Sequence, residues 1–515
     1  MIDPYSEEVL WIVIIGFIMA FVLAFGLGAN DVANSFGTSV GSKVLTVKQA
    51  CCLATVCEIA GSILLGYKVS DTMRKGILQV NVYDDAEYEL LLGMFAALIG
   101  SSVMLLGATF LKLPVSATHS IVGATIGFSL VCRGDKGINW KVLGMIVGSW
   151  FVSPLLSGVI SVSLYLVIRR LILNASDPIA RGLLSLPIFY GITIFINVFT
   201  IVHEGSSLLY FNRIPLWGVL VLSFGIGALT MVAVWFFLVP FMRKKIEEVG
   251  STPKVTSGVK TDMVRTDTYK QTLPWTNGNS DVTVLASEIV LTPPNTSEEP
   301  APPGHESSLG KDNPAYCLSI QDKTEEPSLE EKKDSQEKNQ VEEDQAKILK
   351  LFSFLQTLTA TFASFVHGGN DVSNAIGPVI AIWMIYTEGS VHQKSETPLY
   401  ILLYGGVGIS VGLWIWGKRV MKTIGEDLTT ITSSTGFTIE LGAAFTVLLA
   451  SKIGLPVSTT HCLVGSVVFV GWANSTKKGV DWKLFRNIVA AWLVTVPISG
   501  LLSAAAVAIL KETAL

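Results

Sequence analysis

The chain has 515 residues, a net charge of −4 and only 15% charged residues against 50% hydrophobic ones. Soluble domains carry about 25% charged residues, so this composition, with a mean hydropathy of +0.53, excludes an ordinary soluble protein. Cys51, Cys52, Cys57, Cys132, Cys317 and Cys462 show neither metal spacing nor a disulfide framework.

A bilayer-spanning helix needs about 20 apolar residues. Uncharged runs near that length are 9–29, 90–111, 142–168, 182–202, 214–242, 397–417 and 487–510. Less pure runs are 50–67, 113–132, 351–366, 436–450 and 455–472. The predicted fold is therefore an all-α polytopic membrane protein in the lipid bilayer with about twelve transmembrane helices, some broken or re-entrant. A β-barrel would show short alternating segments instead. The first run lacks a basic leader and a clear cleavage site, so it reads as a retained span.

The first span ends in Gly28–Gly37, GANDVANSFG. The second holds Glu58. Residues 71–89 form a polar loop, and a third span leads into LPVSATHSIVG, Leu113–Gly123. A mixed loop carries GINW at 137–140, a fifth span ends at Arg169–Arg170, and two more spans reach the basic cluster Arg243–Lys245. Residues 246–346 are rich in Ser, Thr, Pro, Glu and Lys and are expected to be a disordered cytosolic tether. They separate a first membrane half, 1–245, from a second, 347–515.

The second half repeats the first. Gly28, Asn30, Asp31, Val32, Asn34 and Gly37 recur as Gly368, Asn370, Asp371, Val372, Asn374 and Gly377. LPVSTTHCLVG at Leu455–Gly465 matches Leu113–Gly123 at eight of eleven positions, at an offset of 342. This is an internal duplication. Lys and Arg favour the cytoplasmic side. An external N-terminus puts Lys43, Lys48, Arg169, Arg170, Arg243–Lys245, Lys418, Arg419, Lys477 and Lys478 inside; Arg74, Lys75, Arg133 and Lys136 oppose it. Both termini are then extracellular and the sequons at Asn174, Asn295 and Asn474 cytosolic. Seven crossings before the loop make two inverted repeats, the plan of secondary transporters; one crossing more or fewer would make them parallel.

A carboxylate and amides at membrane depth are costly without partners. In LPVSATH and LPVSTTH, a proline precedes Ser116/Thr118 and Ser458/Thr459/Thr460. Proline suits a first helical turn and Ser or Thr a cap, so a half-helix should start at each motif. Its free N–H groups and dipole make an anion site. Asp31 and Asp371 supply hard oxygens for small cations, and unwound carbonyls near Gly28, Gly37, Gly368 and Gly369 could add more. Asn30, Asn34, Asn370 and Asn374 could bridge cation and anion. Glu58 and Glu440 are functional candidates by depth alone. His119 and His461 read as orienting groups, and His367 as orienting or titrating. The bland alternatives are amide and carboxylate glue between helices and Pro-kinked packing. No Walker A motif and no nucleophile–base set is present, so an enzyme is not expected, and neither is a nucleic-acid partner.

GANDVANSFGTSVG, LPVSATHSIVGATIGFSL, SWFVSPLLSG, HGGNDVSNAIGP, GFTIEL, LPVSTTHCLVGSVVFVGW and VDWKLFRNI resemble the inorganic phosphate transporter (PiT) family, nearest to the animal type-III sodium–phosphate symporters. The resemblance covers both membrane halves and stops at the central loop. It implies a twelve-span inverted repeat and plasma-membrane uptake of monovalent phosphate, with sodium as coupling ion and no cofactor. It also implies that Glu58 and Glu440 match the family's transport-essential glutamates. The expected sodium set is Asp31, Asp371, Asn30, Asn370, Glu58 and Glu440. The expected phosphate set is Asn30, Asn34, Ser116, Thr118, Asn370, Asn374, Ser458, Thr459 and Thr460, supported by His119, His461 and His367. A homodimer is possible. Proton coupling is the nearest alternative, and a phosphate-sensing membrane receptor the alternative of another class.

Overall fold

The computed structural model describes residues 2–206, 209–250, 329–418, 421, 428–474 and 479–514; the side chains of 32–34, 249–250 and 329–342 are also outside the description. Two units emerge, residues 1–252 with 338–515, and residues 253–337. The expectation for the central loop falls mainly on 251–328, outside the described residues.

All regular structure among the described residues is helical. In the first half α1 (Leu10–Asn30) and α2 (Val32–Gly41) are joined at Asp31. There follow α3 (Val47–Leu65), the short α4 (Tyr67–Asp71), α5 (Glu87–Phe110), α6 (Ala117–Arg133) and α7 (Trp140–Ile168). A further pair, α8 (Pro178–Val202) and α9 (Leu216–Ala233), pack on each other and precede α10 (Val239–Gly250). The second half contains α11 (Leu329–Glu388), α12 (Leu399–Trp416), α13 (Ser433–Lys452), α14 (Thr459–Asn474) and α15 (Trp482–Ala514).

Ten helical stretches among the described residues are long and apolar enough to cross a membrane. The sequence predicts about twelve; the two runs that fall short are α6 and α14, with 17 and 16 residues. They are the stretches after the two LPVS motifs, where an extended segment takes up length that helix would otherwise use. The other departure is at 329–346, expected in the polar tether but helical here. That segment is rich in Glu, Lys and Gln, which favour helix, and Lys347 pairs with Glu343 one turn away at 2.7 Å.

Helix ends follow local chemistry. Thr46 accepts from the Gln49 N–H while the Gln49 side chain accepts from the Thr46 N–H, closing a capping box on α3. Asp177 caps α8 with Pro178 in its first turn.

The packing pairs one half against the other. Helix α6 packs on α5 and α15, and α14 packs on α13 and α7. Likewise α5 meets α15, and α13 meets α7. Without water to drive apolar association, such contacts rely on close backbone approach at small residues. A Cβ on Gly28 of α1 would sit 1.8 Å from the Ile409 carbonyl of α12; one on Gly368 of α11 would sit 2.3 Å from the Glu58 carbonyl of α3. The same glycine thus opens the same helix crossing in each half. A side-chain tie also joins the halves: Ser157 of α7 donates to the Cys462 carbonyl of α14 at 2.8 Å.

Candidate functional site

The two LPVS segments are extended over 113–116 and 455–458, and each ends in a serine cap. Ser116 Oγ accepts from the His119 N–H at 3.3 Å, and Ser458 Oγ from the His461 N–H at 3.2 Å. Pro114 and Pro456 therefore lie before the helices and not in their first turns. Each serine holds the cap position, and the remaining first-turn N–H groups face inward without a proline among them.

The two segments are bonded to each other. Thr118 Oγ1 donates to the Val457 carbonyl at 3.1 Å, and Thr460 Oγ1 to the Val115 carbonyl at 3.4 Å. Each half thus fixes the linker of the other. The Asn-Asp pairs attach at the same place. Asn30 Nδ2 donates to Thr109 Oγ1 at 3.1 Å and to the Leu113 carbonyl at 3.0 Å, while Asn30 Oδ1 accepts from the Val115 N–H at 3.2 Å. Asn370 Nδ2 donates to the Val457 carbonyl and to Asp371 Oδ1, both at 2.8 Å.

Both carboxylates reach the start of α14. Thr460 Oγ1 donates to Asp31 Oδ1 at 3.0 Å, and Thr459 Oγ1 to Asp371 Oδ2 at 2.7 Å. Asn374 Nδ2 donates to Asp371 Oδ1 at 3.1 Å and to Thr118 Oγ1 at 3.0 Å, reaching from the second half into the first. Asp31 and Asp371 are both buried. The predicted cation carboxylates and anion hydroxyls are one constellation. Asn34 lies outside the described side chains.

The two glutamates are bound differently. Glu58 Oε2 lies 3.0 Å from His367 Nδ1, and Glu58 Oε1 accepts from Ser364 Oγ at 2.9 Å. The other ring nitrogen of His367 lies 2.6 Å from Asp371 Oδ2. One imidazole therefore joins Glu58 to Asp371. Glu440 instead meets uncharged donors: Thr38, Ser39 at 2.7 Å, Gln356 at 3.3 Å and Thr359 at 2.7 Å. It sits mid-helix in α13, not near an end as its run suggested. A cavity of about 20 Å³ connects Glu440, His367, Thr459 and Ser35. That is room for about one water, too little for a tetrahedral oxyanion, so the site is closed around its polar groups in this conformation.

The unwound carbonyls expected near the glycines are not there. Gly368 and Gly369 lie within the continuous α11, and the break in the first half is confined to Asp31. Those glycines serve helix contact, which demands an intact backbone. The oxygens at hand are instead the carboxylates, the threonine hydroxyls and the linker carbonyls of Val115 and Val457. Reading by motif missed Thr38, Ser39, Gln356, Thr359 and Ser364. Thr38 and Ser39 directly follow GANDVANSFG, and that adjacency was the available signal. His119 Nδ1 lies 3.3 Å from the Trp492 carbonyl and His461 Nδ1 3.2 Å from the Trp150 carbonyl, each reaching into the opposite half.

The family profile described as the phosphate transporter family matches residues 27–503. The chain belongs to the phosphate transporter family. It is similar to sodium-dependent phosphate transporter 2 of Xenopus tropicalis, at 41% identity over 98% of each chain. It is also similar to the human protein of that name, at 42% over 98% of each, and to sodium-dependent phosphate transporter 1-A of Danio rerio, at 43% over 98% of this chain and 95% of the relative. A solved structure described as the sodium-dependent phosphate transporter superposes with a TM-score of 0.72, at 33% identity, covering 98% of this chain and all of the other. The family members named here are transporters, and the chain is accordingly no enzyme. The matched residues 27–503 include both Asn-Asp motifs and both LPVS segments of the constellation.

Proposed function

We propose that the chain is a plasma-membrane symporter that carries inorganic phosphate inward with sodium by alternating access. One observation carries this reading. Asp31 and Asp371, from the two halves, each take a threonine hydroxyl from the first turn of α14, within one buried site. Cation-type carboxylates and an anion-type helix start side by side suit a cargo of opposite charges moved together. The names of the relatives support sodium and phosphate as that cargo.

In this reading sodium sits among Asp31, Asp371, Asn30, Asn370, Glu58 and Glu440. Phosphate is received by Ser116, Thr118, Ser458, Thr459, Thr460 and the amides of Asn30, Asn34, Asn370 and Asn374. The two halves, 1–245 and 347–515, form inverted repeats that rock about the site, and the segment between them is cytosolic. Both termini are outside, and the protein assembles as a homodimer.

The test is radiolabelled phosphate uptake by the purified protein in proteoliposomes, with sodium or choline outside, across a pH series. Uptake that requires sodium and follows its gradient is expected. Uptake indifferent to the gradient, or none, overturns the reading. His367, in contact with both Glu58 and Asp371, favours proton coupling as the second reading; uptake in choline that follows an imposed pH gradient would establish it.

A further inference from the structure

Behind the two LPVS half-helices, on the far side from the carboxylates, α7 and α15 enclose a cavity of about 320 Å³. That volume lies within the range of small-molecule sites, roughly 300–1,000 Å³. Its walls are Phe, Leu, Val and Pro side chains, with four polar rings among them: His119, Trp150, His461 and Trp492. The rim residues Phe151, Leu155 and Leu493 are 57–66% exposed and lie on membrane-spanning helices, so the cavity opens to lipid.

The four rings form one cluster. His119 and Trp150 have centroids 3.8 Å apart, as do His461 and Trp492, and the two imidazoles meet edge to face at 4.5 Å. Each ring has a nitrogen that is buried and without a hydrogen-bond partner: His119 Nε2, His461 Nε2, Trp150 Nε1 and Trp492 Nε1. Both imidazoles are more than nine-tenths buried. Four orphan nitrogens at one place are unusual, because buried polar atoms are nearly always paired. Their chemistry is fixed by the bonds already made. Nδ1 of each histidine faces a carbonyl, which can only accept, so Nδ1 carries the proton and the neutral ring presents a bare Nε2 acceptor. The indole nitrogens can only donate. An acceptor beside a donor, twice over, is the complement of a hydroxyl.

We propose that this cavity binds a membrane lipid with an apolar body and a single hydroxyl, of the sterol class, its hydroxyl donating to a histidine Nε2 and accepting from a tryptophan N–H. The occupant rests against His119 and His461, each three residues beyond the serine that caps its half-helix, so it braces the LPVS helix starts from the lipid side. Phosphatidylcholine tails lack the donor, and water alone would not fill an apolar cavity of this size.

The test uses the full-length protein in proteoliposomes with a photoreactive sterol. Labelling should map to α7 and α15 and be competed by unlabelled cholesterol. Cholesteryl methyl ether, which has lost the hydroxyl donor, should compete about fivefold less well, the worth of roughly one hydrogen bond. Val468→Phe fills the cavity and should abolish the mapped labelling. Trp150→Phe with Trp492→Phe keeps an aromatic ring at each position, removes the N–H donors and should lower it about fivefold. The proposal is overturned if the ether competes as well as cholesterol, or if labelling survives both sets of substitutions. It is also overturned if Leu493→Cys copies crosslink to one another in sterol-free vesicles, which would assign the opening to a second copy of the chain.

Discussion

The two copies of the Asn-Asp motif share a scaffold and differ in chemistry. In both, the same glycine opens the helix crossing, and the asparagine bonds a carbonyl of its own LPVS linker. Yet Asp371 is ringed by Thr459, Asn370, Asn374 and His367, whereas among the described side chains, which do not include Asn34, Asp31 is met by Thr460. The offset that pairs Asp31 with Asp371 pairs His367 with Leu27, a core leucine. The offset of the LPVS segments pairs Glu440 with Leu98, also apolar and buried. Duplication thus supplies a two-sided frame, and substitution at a few positions makes its contents one-sided. A transporter that must order its ions needs such inequality.

Four sets of substitutions test that contrast, from the largest expected effect to the smallest. Gly28→Val and Gly368→Val should both abolish folded, detergent-stable protein, since a Cβ at either place enters a backbone carbonyl. Monodisperse protein from only one of them, on size-exclusion chromatography, would show that the frame is not shared. Asp371→Asn should lower sodium-dependent uptake by about 100-fold or more, because removing one partner of a buried charge pair costs about 3–5 kcal/mol and His367 is left facing an amide. Asp31→Asn should lower it by only about tenfold. Equal losses in initial-rate measurements would remove the asymmetry.

His367→Leu installs the first half's residue in the second. It should cut the uptake rate about tenfold, with the apparent affinity for sodium falling more than that for phosphate, because the link between Glu58 and Asp371 is lost. A change confined to phosphate affinity would place the imidazole on the anion. Ser116→Ala and Ser458→Ala should each cost about 1 kcal/mol, the value of a helix cap, seen as a few degrees of thermal shift and a modest, similar loss of phosphate affinity. A large difference between them would mean that the caps, too, have diverged.

Much of this was legible in the sequence, for identifiable reasons. Apolar runs of span length mark helices because a bilayer leaves the backbone no other partner. The motifs reveal the site because Asn, Asp, Ser and Thr are out of place in such runs. The partnering could not be read, since Thr38 with Glu440 or Asn374 with Thr118 depends on which faces meet across hundreds of residues. The glycines carry two readings in the sequence, unwound carbonyls and close backbone approach, for a related reason. Flexibility and close approach call for the same residue, and only the crossing geometry at Ile409 and Glu58 separates them. His367 next to a GGND motif gave no hint that one ring would touch two carboxylates.

The reciprocal threonine bonds across the LPVS linkers have a mechanical consequence. Thr118 holds the carbonyl of Val457 and Thr460 that of Val115, so neither linker can swing aside without loosening its opposite number. The pair behaves as a double latch: unfastening one linker already weakens the clasp on the other, and freeing both must forfeit both fastenings at once.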